Sequence, residues 1–447
     1  MAGRFIYFIA IQSQDAINSS YNKRQDLLAE KYVRGKIMAS DGTVLAETVT
    51  DSSGNETRKY PYEQLFAHTV GSVDRGKTGI ELSRNFTLLT SHTNVLSQAA
   101  TMMRGEKILA DDVVTTLDVE LQKVAYEALG NRNGAVVAIE PSTGRILSMV
   151  SKPSFDPNKI ALTWDSLVAD DSGNSTLLNR ATQGLYAPGS TFKIVTLLEY
   201  LKEHPDDYEK YSYTCQGSAM FGDRKISCYN RHVHGILDLK GSLAHSCNDS
   251  FAHMGTLLNL KSYQKTAEKL MFNKPLQLKV PYNKSSFTLS SADSINEIAQ
   301  TAMGQGKTQI TPLHSAMISA AIANEGNMMR PYLVESIQTS TGRTIKTTRQ
   351  KVLSKSMTKD QAAVITDYMK EVVESGTGTA LKTSRYEAAG KTGSAEYDST
   401  GASHAWFTGF APADNPKVAI SVIVERSGTG SEYAVPIAKK LFDSYLN

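Results

Sequence analysis

Ala187-Pro188-Gly189-Ser190-Thr191-Phe192-Lys193-Ile194-Val195 is the stretch on which the reading of this chain turns. Pro188 and Gly189 make a turn, and the apolar residues after them (Phe192, Ile194, Val195, Leu197, Leu198) fit a buried helix. Ser190 then stands at a helix N-terminus, where free N–H groups and the helix dipole favour a developing anion. Lys193 follows one helical turn later, which predicts its amine beside the Ser190 hydroxyl. Two more polar clusters lie downstream. Ser246-Cys247-Asn248 begins 56 positions after Ser190, and Lys391-Thr392-Gly393-Ser394 begins 145 positions after Ser246. The three together supply a nucleophile (Ser190), two candidate proton carriers (Lys193, Ser246), an amide to hold substrate (Asn248) and a cation to anchor a carboxylate (Lys391). No His–Asp pair is required, because an unprotonated lysine can take the serine proton.

Each cluster alone is a weak signal. Ser-x-x-Lys recurs at Ser20/Lys23, Ser262/Lys265 and Ser356/Lys359, Ser-x-Asn at Ser294/Asn296, and Lys-Thr-Gly at Lys77-Thr78-Gly79. Their ordinary reading is a solvated turn or helix face. Setting separates the candidates. Lys391 lies in Ala388-Ala389-Gly390-Lys391-Thr392-Gly393-Ser394-Ala395, where small residues let a substrate backbone approach a strand edge. Lys77 sits among charged residues before the proposed catalytic region and reads as a loop.

The chain of 447 residues is long enough for two or three domains, and its 40% hydrophobic and 21% charged content is that of a folded protein. A net charge of +3 without a long basic run implies no nucleic-acid partner. Residues 5–11, Phe-Ile-Tyr-Phe-Ile-Ala-Ile, form an apolar run of seven, far below the ~20 needed to span a bilayer. It fits a first buried element or the stub of a membrane anchor. Residues 12 to about 110 are polar and turn-rich, with a β-hairpin expected around Asp41-Gly42. Residues 117–129 read as a helix, and 134–139 and 146–150 as strands joined by Pro141-Ser142-Thr143-Gly144. Residues 404–410 and 418–424 read as two further strands and 435–446 as a last helix, with helices such as 194–201 and 316–323 between. Strands at both ends with helices between them predict an α+β fold, an α/β sheet carrying a helical subdomain. The expected division is a non-catalytic N-terminal module over 1–110 and a catalytic domain over 111–447.

With these residues in hand, the chain resembles a class B penicillin-binding protein, and most of all the compact penicillin-binding protein A subgroup of Gram-positive bacteria. Beyond the three clusters, the resemblance rests on Arg34-Gly35, Gly42, Leu45-Ala46 and Gly79-Ile80-Glu81 in the N-terminal module. It continues with Gly304-Gln305-Gly306, Thr311-Pro312, Gly376-Thr377-Gly378-Thr379-Ala380 and Ala405-Trp406-Phe407-Thr408-Gly409-Phe410. It implies a serine β-lactamase-like transpeptidase domain on a smaller pedestal. It also implies a D,D-transpeptidase that cross-links peptidoglycan stem peptides, or lipid-linked precursor strands, and is acylated by β-lactams. Ser190 would attack the penultimate D-Ala carbonyl with Lys193 as base. Ser246 would relay a proton to the leaving amine, and Asn248 would bind the donor amide and orient Lys193. Lys391 and Thr392, with Gly393, would hold the substrate carboxylate, and the N–H groups of Ser190 and Ser394 would form the oxyanion hole. The implied place is the extracytoplasmic face of the bacterial membrane, with a single N-terminal anchor and a partner glycosyltransferase.

Some residues invite weaker readings. Trp406 and Phe407 are expected in the core, Gln305 braces the site or caps a helix end, and Glu396 is a rim charge. Cys247 is expected to fill space. Cys215, Cys228, His232 and His234 have a spacing that suits zinc, while an oxidising exterior equally permits a Cys215–Cys228 disulfide or free thiols. Catalysis requires no cofactor under any of these. Rival functions are a D,D-carboxypeptidase, a β-lactam sensor and a serine β-lactamase. The class A lactamase places an Asn four positions after its deacylating Glu, and no Glu between Ser246 and Lys391 has that Asn.

Overall fold

The computed structural model describes residues 24–397 and 402–447. The apolar run 5–11 and the Ser20/Lys23 pair lie outside the described residues. The central element is a five-stranded antiparallel sheet in the order Ala389–Glu396, Ser403–Ala411, Val418–Val424, Gly134–Ile139, Ile146–Lys152. All four strands expected from sequence are in it. Every residue of Gly134–Ile139 and Val418–Val424 is buried, because helices cover both faces of the sheet. That burial explains why these strands read as unbroken apolar runs without alternation.

One face packs on helices Val119–Leu129 and Val435–Tyr445. The first begins at Val119 and not at the expected 117, because the Asp118 carboxylate caps it by accepting from the Leu121 N–H. The other face packs on Pro312–Ala323, a helix buried from Pro312 through Ile322 and started by the Thr311 cap and Pro312. The helical region between the sheet's two halves lies on this side and shares its large apolar core. No helix among the described residues is long and apolar enough to cross a membrane.

The N-terminal hairpin forms as expected, pairing Ile37–Met38 with Val44–Thr50 around a turn in which Gly42 has φ +88°. It belongs to a second, six-stranded sheet ordered Thr344–Thr347, Val334–Gln338, Asp112–Thr115, Ile37–Met38, Val44–Thr50, Glu56–Lys59. Two of those strands come from residues 334–347, so the later part of the chain returns to complete the N-terminal sheet. Beneath it Glu81 is fully buried and bridges two guanidiniums, with Arg34 Nε at 2.7 Å and Arg58 Nε at 2.8 Å. Burial alone would raise the Glu81 pKa, but the two arginines outweigh it and hold the carboxyl below its usual range. Gly35 is required next to Arg34, since a Cβ there would sit 1.9 Å from the Asp111 carbonyl oxygen.

Removing Glu81 would leave two buried guanidiniums facing each other. Glu81→Ala is therefore expected to destabilise the N-terminal sheet by roughly 3–5 kcal/mol, measured by urea-dependent hydrogen exchange of the Val44–Thr50 amides. A loss below about 1 kcal/mol, the range of exposed ion pairs, would overturn this account.

Candidate active site

Ser190 lies in a 3-10 turn, Gly189–Phe192, and the α-helix proper runs from Lys193 to Glu203. The expected helix start is thus a tighter turn, in which residues three apart eclipse and Lys193 is carried over Ser190. The turn is wedged in place by backbone contacts. The Gly189 N–H donates to the Gly304 carbonyl at 2.9 Å. A Cβ on Gly304 would lie 1.7 Å from the Gly189 oxygen, and one on Gly189 would lie 2.8 Å from the Ser394 oxygen. The indole N–H of Trp406 donates to the Ala187 carbonyl at 3.2 Å. Trp406 and Phe407 are core residues, as expected, and Trp406 also steadies the chain ahead of the nucleophile.

The second cluster is the junction between helices Leu239–Ala244 and Asn248–Leu257. Ser246 adopts φ +53°, a left-handed conformation that costs about 1 kcal/mol or more and is kept only where the surroundings impose it. Here it turns Ser246 and Asn248 together toward Lys193. The Lys193 ammonium donates to Ser246 O (2.8 Å), Ser246 Oγ (3.2 Å) and Asn248 Oδ1 (2.7 Å). The Asn248 amide N–H donates to Ser227 O at 2.9 Å, which fixes the orientation of its oxygen. The hydrogen bond to Ser190 Oγ that the one-turn spacing anticipates is not among these contacts. Catalytic hydrogen bonds often tighten only when substrate enters.

Lys391 is fully buried on Ala389–Glu396, the edge strand of the sheet, whose outer side is unpaired. Its Nζ donates to Thr392 O at 3.0 Å, and the Thr392 and Thr377 hydroxyls hydrogen-bond to each other. Gly376-Thr377-Gly378 therefore borders the cluster, a contact that sequence offered only as a family landmark. Ser394 is half-buried at the end of the cluster and Gly393 packs against Thr191. Among the described residues no carboxylate forms an ion pair with Lys193 or Lys391. Burial lowers the Lys193 pKa to about 8. Burial and the neighbouring Lys193 charge hold Lys391 well below its ordinary value. A site with two desolvated lysines, neither in an ion pair among the described residues, suits a carboxylate ligand and a lysine base.

The remaining candidates fall into place as structure. Ser294 caps a helix with Glu297 in a capping box, Ser262 accepts from Lys202, and the Ser356 hydroxyl donates to Lys269 O. Gln305 makes its hydrogen bond through its backbone, to Gln300 O at a helix end, and its neighbour Gly304 braces the site. Glu396 is exposed at the strand end.

Of the cysteine readings, the structure has the free thiols, and it changes the membership of the metal-ligand set. Cys215, Cys228 and Cys247 are buried free thiols. Cys215 Sγ lies 3.7 Å from Cys228 Sγ and 3.4 Å from His234 Nδ1, and Cys228 Sγ lies 3.6 Å from Cys247 Sγ. The sulfur separation excludes a disulfide in this state, which needs about 2.05 Å. Cys247 replaces His232 in the set, whose ligand atoms all lie within 4.8 Å of one another. The reason is strand register. Gly235 pairs with Cys215, which brings His234 alongside that thiol and leaves His232 edge-on to the His234 ring.

The chain matches two family models, the penicillin binding protein transpeptidase domain over residues 134–443 and the penicillin binding protein A dimerisation domain over 34–113. It is 31% identical to the peptidoglycan D,D-transpeptidase PbpA of Mycolicibacterium smegmatis, over 93% of this chain and 90% of that protein. Its structure is similar to the penicillin G acyl-enzyme complex of penicillin-binding protein A from M. tuberculosis, with TM-score 0.85, 29% identity and coverage of 93% and 100% of the two chains. It is also similar to the D,D-transpeptidase domain of a peptidoglycan glycosyltransferase from Eggerthella lenta, with TM-score 0.82, 32% identity and coverage of 92% and 98%. Three converging clusters on this sheet, and likeness along nearly the whole length, mean that the chain belongs to the penicillin-binding protein transpeptidase family.

Proposed function

We propose that this protein is a peptidoglycan D,D-transpeptidase that forms an acyl-enzyme on Ser190. The observation that carries the reading is the buried Lys193 amine, held by Ser246 and Asn248, lacking a carboxylate partner and carried on the turn that bears Ser190. A neutral Lys193 takes the Ser190 proton as Oγ attacks the carbonyl of the penultimate D-Ala. The oxyanion is received by the N–H groups of Ser190 and Ser394. Ser246, in contact with the same amine, relays the proton to the leaving D-Ala nitrogen. Lys391 and Thr392, with Gly393, hold the substrate carboxylate, which restores the missing negative charge between the two lysines. Asn248 orients Lys193, and its amide retains capacity for a substrate peptide group. The unpaired edge of Ala389–Glu396 offers the donor stem peptide a strand to lie against. The amine of a second stem peptide then attacks the ester and frees Ser190. β-Lactams, which acylate the M. tuberculosis relative, follow the first half of this path.

The assignment carries several further readings. Residues 1–110 act as a non-catalytic pedestal and 111–447 as the catalytic domain, a division supported by the separate family matches. The enzyme works at the outer face of the membrane on stem peptides or lipid-linked strands, beside a glycosyltransferase. The chemistry at Ser190 uses no cofactor.

Cys215, Cys228, Cys247 and His234 fit a structural zinc ion. Tetrahedral zinc with Zn–S near 2.3 Å holds its sulfurs about 3.8 Å apart, and Cys₃His is a familiar ligand set. The 3.6–3.7 Å sulfur contacts match that spacing. Such an ion would pin Cys247, and with it the Ser246–Asn248 loop.

Penicillin is expected to add one covalent adduct to the peptide containing Ser190, absent in Ser190→Ala, and Lys193→Ala is expected to slow acylation roughly 10²–10⁴-fold. Paired stem peptides should yield cross-linked product; release of D-Ala to water alone would favour the carboxypeptidase. An adduct elsewhere, or none, would sink the assignment. Because the base must be neutral, the acylation rate should rise with pH through about 8. Asn248→Asp puts an anion beside the ammonium, favours its charged form and should move that midpoint upward. A flat profile would remove Lys193 as base. Elemental analysis of freshly purified protein should find about one zinc per chain, lost in Cys228→Ser and in His234→Ala but retained in His232→Ala. Retention of zinc in Cys228→Ser would reject the site.

A further inference from the structure

A second cleft, of about 900 Å³, opens where the N-terminal module meets the later part of the chain. None of its lining residues belongs to the three clusters. One wall is the short helix ending at Ser83 and Arg84, another the 277–280 segment, and the third the hairpin over 330–349. Five cations line it, Arg84, Lys279, Arg330, Lys346 and Arg349, and no Asp or Glu does. This is not the consequence of a basic chain, since the whole sequence carries 48 Lys and Arg against 45 Asp and Glu. Among the described residues none of the five forms an ion pair with a carboxylate. Glu335, on the same hairpin, is committed to Arg145 at 2.9 Å.

Two of the cations cannot be dismissed as solvated surface charges. Arg84 Nε is buried and has no hydrogen-bond partner. A buried donor left unmatched costs about 1–3 kcal/mol, more where the group is charged. Arg330 is half-buried and donates to the Arg349 carbonyl oxygen at 3.1 Å, a neutral acceptor that cancels no charge. Burial, and then the Arg330 charge, pull Arg84 below the ordinary guanidinium value. Five like charges thus line one concave surface, two of them close enough for Arg330 to lower the pKa of Arg84. The missing partner is an oxyanion, which guanidinium forks grip in bidentate fashion.

We propose that this cleft binds a multiply charged condensed phosphate, such as a pyrophosphate group. The charge density selects phosphate. Condensed phosphates bring three or more charges within a few ångströms, which suits five cations around one cleft, whereas an extended acidic peptide puts successive side chains on opposite faces and spaces those on one face about 6.6 Å apart. Both strands of the hairpin line the cleft, through Val334, Ser336 and Ile337 on one and Ile345 to Thr347 on the other. The group can arrive free in solution or on a lipid carrier, and the cleft recognises the same oxygens in either case. The site is independent of the chemistry at Ser190.

The test uses the full chain and sodium tripolyphosphate as probe, titrated by calorimetry at fixed ionic strength. Saturable binding is expected, weakened by salt and at least tenfold weaker in Arg330→Gln and in the exposed pair Lys346→Gln/Arg349→Gln. Penicillin labelling of Ser190 should be unchanged in these variants. The exposed pair keeps the test valid should Arg330→Gln misfold. Sedimentation with phosphatidylglycerol vesicles, against phosphatidylcholine, separates the sources. Capture that tripolyphosphate competes away identifies a headgroup ligand, and binding of the soluble probe alone identifies a free one. No binding, binding indifferent to the variants, or binding of a glutamate-rich peptide in preference to tripolyphosphate would each overturn the proposal.

Discussion

The interaction on which the site depends is the grip of Ser246 and Asn248 on the Lys193 amine. A buried lysine is expensive to keep charged, and the usual remedy is a carboxylate beside it. Here the amine meets a carbonyl oxygen, an amide oxygen and a hydroxyl, all neutral. These acceptors position the nitrogen but leave burial without an ion pair to offset it, so its pKa falls to about 8. An Asp at position 248 would hold the amine as firmly and make it a poorer base. The left-handed backbone of Ser246 accompanies this arrangement, in which both Ser246 oxygens lie within reach of one nitrogen.

Close packing of glycines converts this local arrangement into a site. Gly189, Gly304 and Gly393 each stand where a side chain would collide with the turn or strand opposite. They let the Ser190 turn, the Gly304 loop and the edge strand approach to backbone distance. The nucleophile is thereby positioned by main-chain contacts that carry no rotamer freedom, while the strand's outer edge stays open for a peptide.

Much of this was legible in the sequence, for physical reasons that can be named. Strands 134–139 and 418–424 are buried on both faces, so their apolar runs were unmistakable. The Asp41-Gly42 turn announced its hairpin because Gly42 needs positive φ. Residues 334–347 carry a similar turn at Gly342, but nothing in them pointed to the sheet they join. Their strands are short and half polar, Val-Glu-Ser-Ile-Gln and Thr-Ile-Lys-Thr; they pair with each other, and the first also pairs with Asp112–Thr115 more than 200 positions away. Long-range pairing of that kind leaves no local pattern. The choice between His232 and His234 was equally invisible, since strand register decides which imidazole faces Cys215. Cys247 fills buried space as expected, but its closeness to Cys215 and Cys228 was invisible because only the fold brings those segments together.

Cys247 also shows how closely two parts of the molecule are joined. It is the N-cap of the helix that begins with Asn248, accepting from the Ser250 N–H, and its sulfur touches that of Cys228. Asn248 in turn donates to Ser227 O, the residue before Cys228. The Ser227–Cys228 segment therefore touches the Ser246–Asn248 loop twice, once through sulfur and once through the amide that orients Lys193. Any change in the thiol cluster, whether oxidation, metal loading or loss of a ligand, pulls on the same three residues that set the lysine. The geometry of the base is thus tied to the state of four side chains that take no part in the proton transfers.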